Sequence, residues 1–241
     1  MKSKYVLLAS AFLISGATFA QKDELKAAEK ALKAGNPSEA KTALEKAEGL
    51  IANADASQKA QFYFLKGNAN LELAKKKVDT DKNLLAAAKA YTELLDVEKA
   101  SNKSKYTKEA EVSLTAVKGE LVNSAVKDNQ EKRYKEGAEK LYQTYLLNKK
   151  DTVYLFYAAS SAVNGQDYDV ALKHYDELKK LNYSGKATIY TAKSKLNDEV
   201  QNFATQAERD RAVKIGTHDT PKVEREPSKR GEIYKNIALI Y

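Results

Sequence analysis

The chain has 241 residues, 43% of them apolar and 31% charged, with a formal net charge of +8, no cysteine, no tryptophan, fifteen tyrosines, ten glycines and three prolines. The apolar fraction excludes global disorder. The missing thiols exclude disulfides, thiol nucleophiles, thiolate metal sites and the cysteine-borne lipid anchor of a bacterial lipoprotein.

Residues 1–20 have the order of an export signal. Lys2 and Lys4 precede an apolar run over residues 5–14 that only Ser10 interrupts, Ser15-Gly16-Ala17 loosens the chain, and Thr18-Phe19-Ala20 sets small residues where a signal peptidase reads them. The run is too short to stay in a bilayer, and no second apolar stretch of spanning length follows. The expectation is therefore an exported protein with no integral membrane segment in its mature chain, periplasmic or else secreted. Cleavage removes two lysines and leaves 39 basic against 33 acidic residues, a net charge of +6.

From Gln21 onward, few breakers and abundant Ala and Lys predict consecutive helices, roughly over 22–34, 37–53, 57–77, 82–98, 104–128, 131–148, 151–164, 167–181, 185–213 and 230–241. Gly35-Asn36-Pro37 ends one helix and opens the next with a proline in its first turn. Lys75-Lys76-Lys77 reads as a helix end with cations at the negative pole of the dipole. Asn164-Gly165 reads as a left-handed helix end, and residues 182–185 as another break. No run of alternating apolar residues predicts a sheet. Charges alternate in sign along the helices, as in Lys22-Asp23-Glu24 and Glu131-Lys132-Arg133, which is the pattern of solvated faces and not of a nucleic-acid footprint. The tyrosines sit at helical spacing beside Ala and Leu, which assigns most of them to packing. Their alternative use is a stacking surface for sugars.

An internal repeat organises the chain. Tyr134, Gly137, Leu141 and Thr144 recur as Tyr168, Ala171, Tyr175 and Leu178, each displaced by 34 residues, the period of tetratricopeptide repeats. Residues Tyr154-x-x-Tyr157-Ala158 and Tyr234-x-x-Ile237-Ala238-x-x-Tyr241, more loosely Tyr63-x-x-Lys66-Gly67, resemble the first helix of such a repeat. Ala40 with Leu44, Ala87 with Tyr91, Gly137 with Leu141 and Ala171 with Tyr175 resemble the second: a small residue lets the helices approach and a large one fills the space a turn on. The resemblance covers most of 22–181 and resumes at 230–241. It departs from the family in lacking Trp and the closing proline, and in the longer spacings of Ala40 to Ala87 and Ala87 to Gly137. It implies an all-α helix-turn-helix superhelix. On this reading residues 1–20 are a signal, 21–205 tetratricopeptide-like repeats, 206–230 a polar, proline-containing insertion, and 231–241 the start of a further repeat that continues in a longer protein.

Recognisable catalytic patterns are missing: no phosphate loop, no G-x-S-x-G and no H-E-x-x-H. His174 has no Cys or second His at metal-ligand spacing and is expected on the surface or lining a groove. His218 lies beside Asp219 without a nucleophile of recognisable context; a turn or partner contact is expected of it. Asp167 and Asp169 suit a helix start. No catalytic residue, metal or cofactor is therefore assigned. The resemblance implies a concave groove lined by first helices, here including Phe64, Asn68 and Leu71 in one repeat and Leu155 and Ala159 in another, and a protein or peptide as partner. These residues do not reproduce the Lys, Asn and Arg set with which some family members hold a peptide carboxylate. The leading expectation is a non-enzymatic adaptor at the cell envelope. The alternatives are a glycan- or peptidoglycan-binding helical protein and a hydrolase that uses the insertion.

Overall fold

The structure is a computed structural model and describes residues 21–241; the segment read as an export signal lies outside the described residues. The chain forms two compact units that divide at Tyr154 and Leu155. It is mostly helical, but a three-stranded sheet corrects the all-α expectation.

The first unit is a run of antiparallel helices: α1 (residues 21–33), α2 (Pro37–Glu48), a single 3-10 turn (Ile51–Asn53), α3 (Ala56–Lys75), α4 (Thr80–Ala100), α5 (Thr107–Gln130) and α6 (Tyr134–Leu147). Helices α2 to α5 each pack on the next, and α4 also reaches α6. Helix α3 is apolar on two sides. Phe62, Leu65 and Ala69 join Leu25 and Ala28 of α1 and Ala40 and Leu44 of α2 in one core cluster. Ala60 and Ala74 join Leu84, Ala87, Tyr91 and Leu94 of α4 and Leu114, Val117 and Leu121 of α5 in a second. Alanine is frequent in both because it brings helix axes close without a side chain between them. At Gly67 a Cβ would stand 2.4 Å from the Tyr91 ring.

The second unit takes the body of α7 (Thr152–Asn164), then α8 (Tyr168–Lys180), β1 (Thr188–Ser194), β2 (Val200–Phe203), α9 (Gln206–Ile215), β3 (His218–Arg225) and α10 (Arg230–Ile240). The antiparallel sheet has the order β2-β1-β3. Tyr190 stands opposite Phe203 and Val223, and the β1–β3 register shifts between Thr191 and Lys193. Helix α9 covers β1 and β3. Its Thr205 hydroxyl caps the Glu208 N–H at 3.2 Å, and Gly216 ends it in the left-handed region. The single helix expected over 185–213 is therefore two strands and the greater part of α9, and the polar stretch expected to be irregular contains β3. Thr188, Ile189, Tyr190 and Thr191 are strand-forming residues. Further along β1 the adjacent Thr191 and Ala192 are both buried, so the strand lacks the alternation that would have marked it.

The strand module lies between α8 and α10 and begins well before residue 206. The backbone N–H of Lys229 donates to Ser184 O at 2.8 Å, and that of Glu226 to Ala187 O at 2.9 Å. Its two ends are thus zipped together, and α10 packs on α8 beyond them. Asn236 Nδ2 donates to Tyr175 Oη at 2.8 Å, and Arg230 donates to the Asn182 carbonyl and side-chain oxygen at 3.1 and 2.6 Å.

The helix ends repeat one device. Gly35, Lys77, Asn102, Lys132, Gln166, Asn182 and Gly216 all have positive φ. At each, the left-handed residue donates its N–H three residues back and the next residue donates five back, as Lys132 to Asn129 (3.1 Å) and Arg133 to Asp128 (2.8 Å). This is the Schellman closure, which satisfies carbonyls the helix leaves open. The turns at Lys132 and Gln166 are identical in pattern and lie 34 residues apart. At 164–166 the left-handed residue is Gln166, not Gly165 as the sequence suggested. The small residues Ala40, Gly137 and Ala171 each follow a left-handed residue by five positions, and all three are buried.

A side chain in the left-handed region costs about 1–2 kcal/mol, and glycine there gives back about 0.5–1 through the freer unfolded chain. Lys132→Gly is expected to raise the stability of the first unit by about 0.5–1 kcal/mol in urea denaturation, whereas Gly35→Ala is expected to lower it by about 1 kcal/mol.

Candidate functional site

Helices α4 and α6 leave an open cleft of about 450 Å³ between them, lined by Leu85, Ala86, Lys89, Thr92 and Glu93 of α4 and by Gln143, Leu146 and Leu147 of α6. On each helix the lining residues recur at spacings of three and four, as Leu85 to Lys89 to Glu93 and Gln143 to Leu146, so each helix presents one face. Leu85 and Leu147 pack their inner sides on the core cluster below, while Leu146 remains 38% exposed. Lys89 and Glu93 lie one turn apart on α4 and enter no ion pair among the described residues. The charge of Glu93 reaches Tyr63, whose phenol is held above its usual range, first by burial and then by that charge.

One turn before the cleft, on both walls, a partly buried ionic network sets their separation. Lys140 of α6 bridges Asp81 of α4 at 2.6 Å and Asp128 of α5, and it also donates to Ser124 at 2.9 Å. Ser124 donates to Asp81 at 2.7 Å, and Arg133 closes on Asp128, which is 3% exposed. Burial works against each charge, but the contacts outweigh it. Hydrogen bonds from Lys140 and Ser124 hold the Asp81 carboxyl below the usual carboxylate range, and the two aspartates hold the Lys140 ammonium above the usual lysine value. The other end of α4 is fixed as firmly. Glu98, 1% exposed, accepts the Tyr106 N–H at 3.0 and 3.1 Å and the Thr107 hydroxyl at 2.6 Å, so an α4 carboxylate caps the positive end of α5.

The groove residues expected from the sequence fall elsewhere. Phe64, Asn68 and Leu71 share one line of α3. Phe64 is half-buried and stacked on Tyr106 at 4.4 Å, and Leu71 packs on the second core cluster. Asn68 accepts the Tyr91 hydroxyl at 2.6 Å inside the α3–α4 hairpin; burial pushes that phenol up to about 12. Leu155 and Ala159 are fully buried in the second unit, where they serve packing and present no surface to a groove. His174 is also buried, at 3% exposure, which corrects the surface or groove-lining position expected for it. His218 does not engage Asp219. Its ring nitrogens face Thr217 Oγ1 at 2.9 Å and Gln201 Oε1 at 2.8 Å, and Asp219 accepts the Thr220 hydroxyl. Asp169 lies in the first turn of α8, as expected.

The cleft residues escaped sequence reading because each is ordinary alone. One signal was present: Tyr145, Leu146 and Leu147 are consecutive at the end of α6, so their apolar arc is wider than the single stripe a hairpin buries. Among the described residues no helix is long and apolar enough to cross a membrane. Comparison of the chain with protein-family models, with curated proteins and with solved structures finds no match in any of the three.

Replacing Lys140 by Met leaves Asp128 with Arg133 and Asp81 with Ser124 and water. The expected loss is therefore about 2 kcal/mol, less than the 3–5 kcal/mol of an unrelieved buried charge. The lowered Asp81 value means a contribution present above the ordinary carboxylate pKa, near 4, and lost as pH falls through the folded value. The raised Lys140 value means one present below about pH 10 and lost as pH rises through the folded value. The stability difference between wild type and Lys140→Met, from urea midpoints, is expected to be largest around neutral pH and to shrink in acid below about pH 4.

Proposed function

We propose that the protein is a non-catalytic, tetratricopeptide-like adaptor of the bacterial cell envelope that binds other proteins. The observation that carries this reading is the open, apolar cleft between α4 and α6, held by buried polar contacts in a stack of helical hairpins. Among the helix-closing turns of one pattern, those at Lys132 and Gln166 lie 34 residues apart, which supports the repeat reading. Export rests on the charge, length and cleavage pattern of residues 1–20. The glycan-binding alternative keeps part of its motive: Tyr91, Tyr145 and Tyr175 are fully buried, while Tyr157, Tyr168, Tyr234 and Tyr241 are exposed.

Expression of the full chain with a C-terminal tag in a Gram-negative host is expected to give a periplasmic product that begins at Gln21 by mass spectrometry, and affinity capture from envelope extract is expected to enrich a defined protein. A cytoplasmic product that keeps Met1 would remove the export half of the proposal. Capture with nothing above background would remove the adaptor half.

A further inference from the structure

We infer that the cleft between α4 and α6 takes a single amphipathic helix whose aliphatic stripe is flanked by an acid and, one turn later, a base. The inference rests on the protein-binding reading and assigns its partner a chemistry. Three features of the cleft carry it.

The first is length and shape. Lining residues on α4 run from Leu85 to Glu93, about 12 Å or two helical turns, which matches the i, i+3/i+4, i+7 anchors of a helix laid in a groove. The second is backbone chemistry. The α4 wall is a helix interior, whose N–H and C=O groups already bond within the helix, and the α6 wall is that helix's last turn, which leaves carbonyls open but no N–H. An extended peptide would find no ladder partner in the cleft, whereas a helix arrives with its own backbone satisfied. The third is charge. The floor is Leu85, Ala86, Leu146 and Leu147, and the charged groups of the lining are Lys89 and Glu93, neither of them in an ion pair. Their order along α4, cation and then anion, is complemented by Glu followed at i+4 by Lys on a helix running parallel to α4. That arrangement is also the favourable orientation within a helix.

The test uses the full chain and a synthetic helical peptide of about four turns, with Leu at i, i+4 and i+7 and a Glu–Lys pair at i, i+4 beside them. One control peptide has the same composition with the Leu stripe broken, and the other has the pair reversed to Lys–Glu. By fluorescence anisotropy the first peptide is expected to bind best. Leu146→Asp is expected to weaken it at least about tenfold, with the helical circular dichroism and thermal midpoint of the variant retained because Leu146 is partly exposed. The double variant Lys89→Glu/Glu93→Lys is expected to prefer the reversed peptide. Equal binding of the broken-stripe peptide, or binding that Leu146→Asp leaves unchanged, would overturn the inference. So would a concentration-dependent dimer that Leu146→Asp abolishes, since a second copy would then occupy the cleft. A photo-reactive residue at Leu146, and separately at Val112 on the exposed side of α5, distinguishes the two levels. If an envelope protein is captured at Val112 and not at Leu146, and the peptide does not bind, the cleft assignment falls and the adaptor reading stands. If nothing is captured at either position, both fall.

Discussion

How closely the two helices of a hairpin can approach is the constraint on which the rest of this structure depends. At Ala40, Gly137 and Ala171 the residue that faces the partner helix has at most one methyl group, and at each it stands five positions beyond the left-handed residue that closes the preceding helix. The turn thus delivers the small residue to the crossing point, and the large residue four positions later, Leu44, Leu141 or Tyr175, fills the space that opens one turn on; all three are almost completely buried. In the α3–α4 pair the same economy of volume appears from the other side, with Gly67 admitting the Tyr91 ring. A larger side chain at these points would separate the axes and leave voids in a core that has few long aliphatic residues to fill them.

Close packing alone would let the helices slide along one another, since alanine surfaces are smooth. Buried polar contacts remove that freedom around the cleft. Lys140 can satisfy Asp81 and Asp128 together only when α4, α5 and α6 stand in one register, and Glu98 can cap α5 only when the α4–α5 turn has its present course. Such groups contribute little net stability, because desolvation offsets much of their attraction, but a shifted arrangement would strand a buried charge. The cleft therefore has a width set by hydrogen-bond geometry.

The strand module obeys a different logic. Its core is thin: Ala192 is its buried apolar residue in the sheet, and the Arg209 guanidinium, bonded to Lys222 O at 2.9 Å, lies over the Tyr190 ring where a larger domain would place aliphatic side chains. Because Ser184 and Lys229 close its base, the module leaves the packing of α10 on α8 in place. A small apolar core with many exposed backbone bonds places it at the low end of local stability in its unit.

What the sequence determined by itself was set by local periodicity and by turn chemistry. The helices up to Lys180, the break at Gly35-Asn36-Pro37, the small–large pairs and the 34-residue spacing were legible because a helix buries one stripe at a fixed period and because proline and glycine mark its ends. The strands were not legible: β1 has buried residues on both faces, so Thr191, Ala192 and Ser194 show no alternation, and the Ala, Lys and Leu around them suit a helix equally well. Nor could the sequence assign Lys132 and Gln166 to the left-handed region, since only the helix-closing hydrogen bonds make that conformation favourable for them. The cleft was decided by tertiary structure alone. Leu85, Glu93 and Leu146 share a surface only because Lys140, Asp81 and Asp128, distant in the chain, draw α4 and α6 together, and no local pattern encodes a contact made through a third helix.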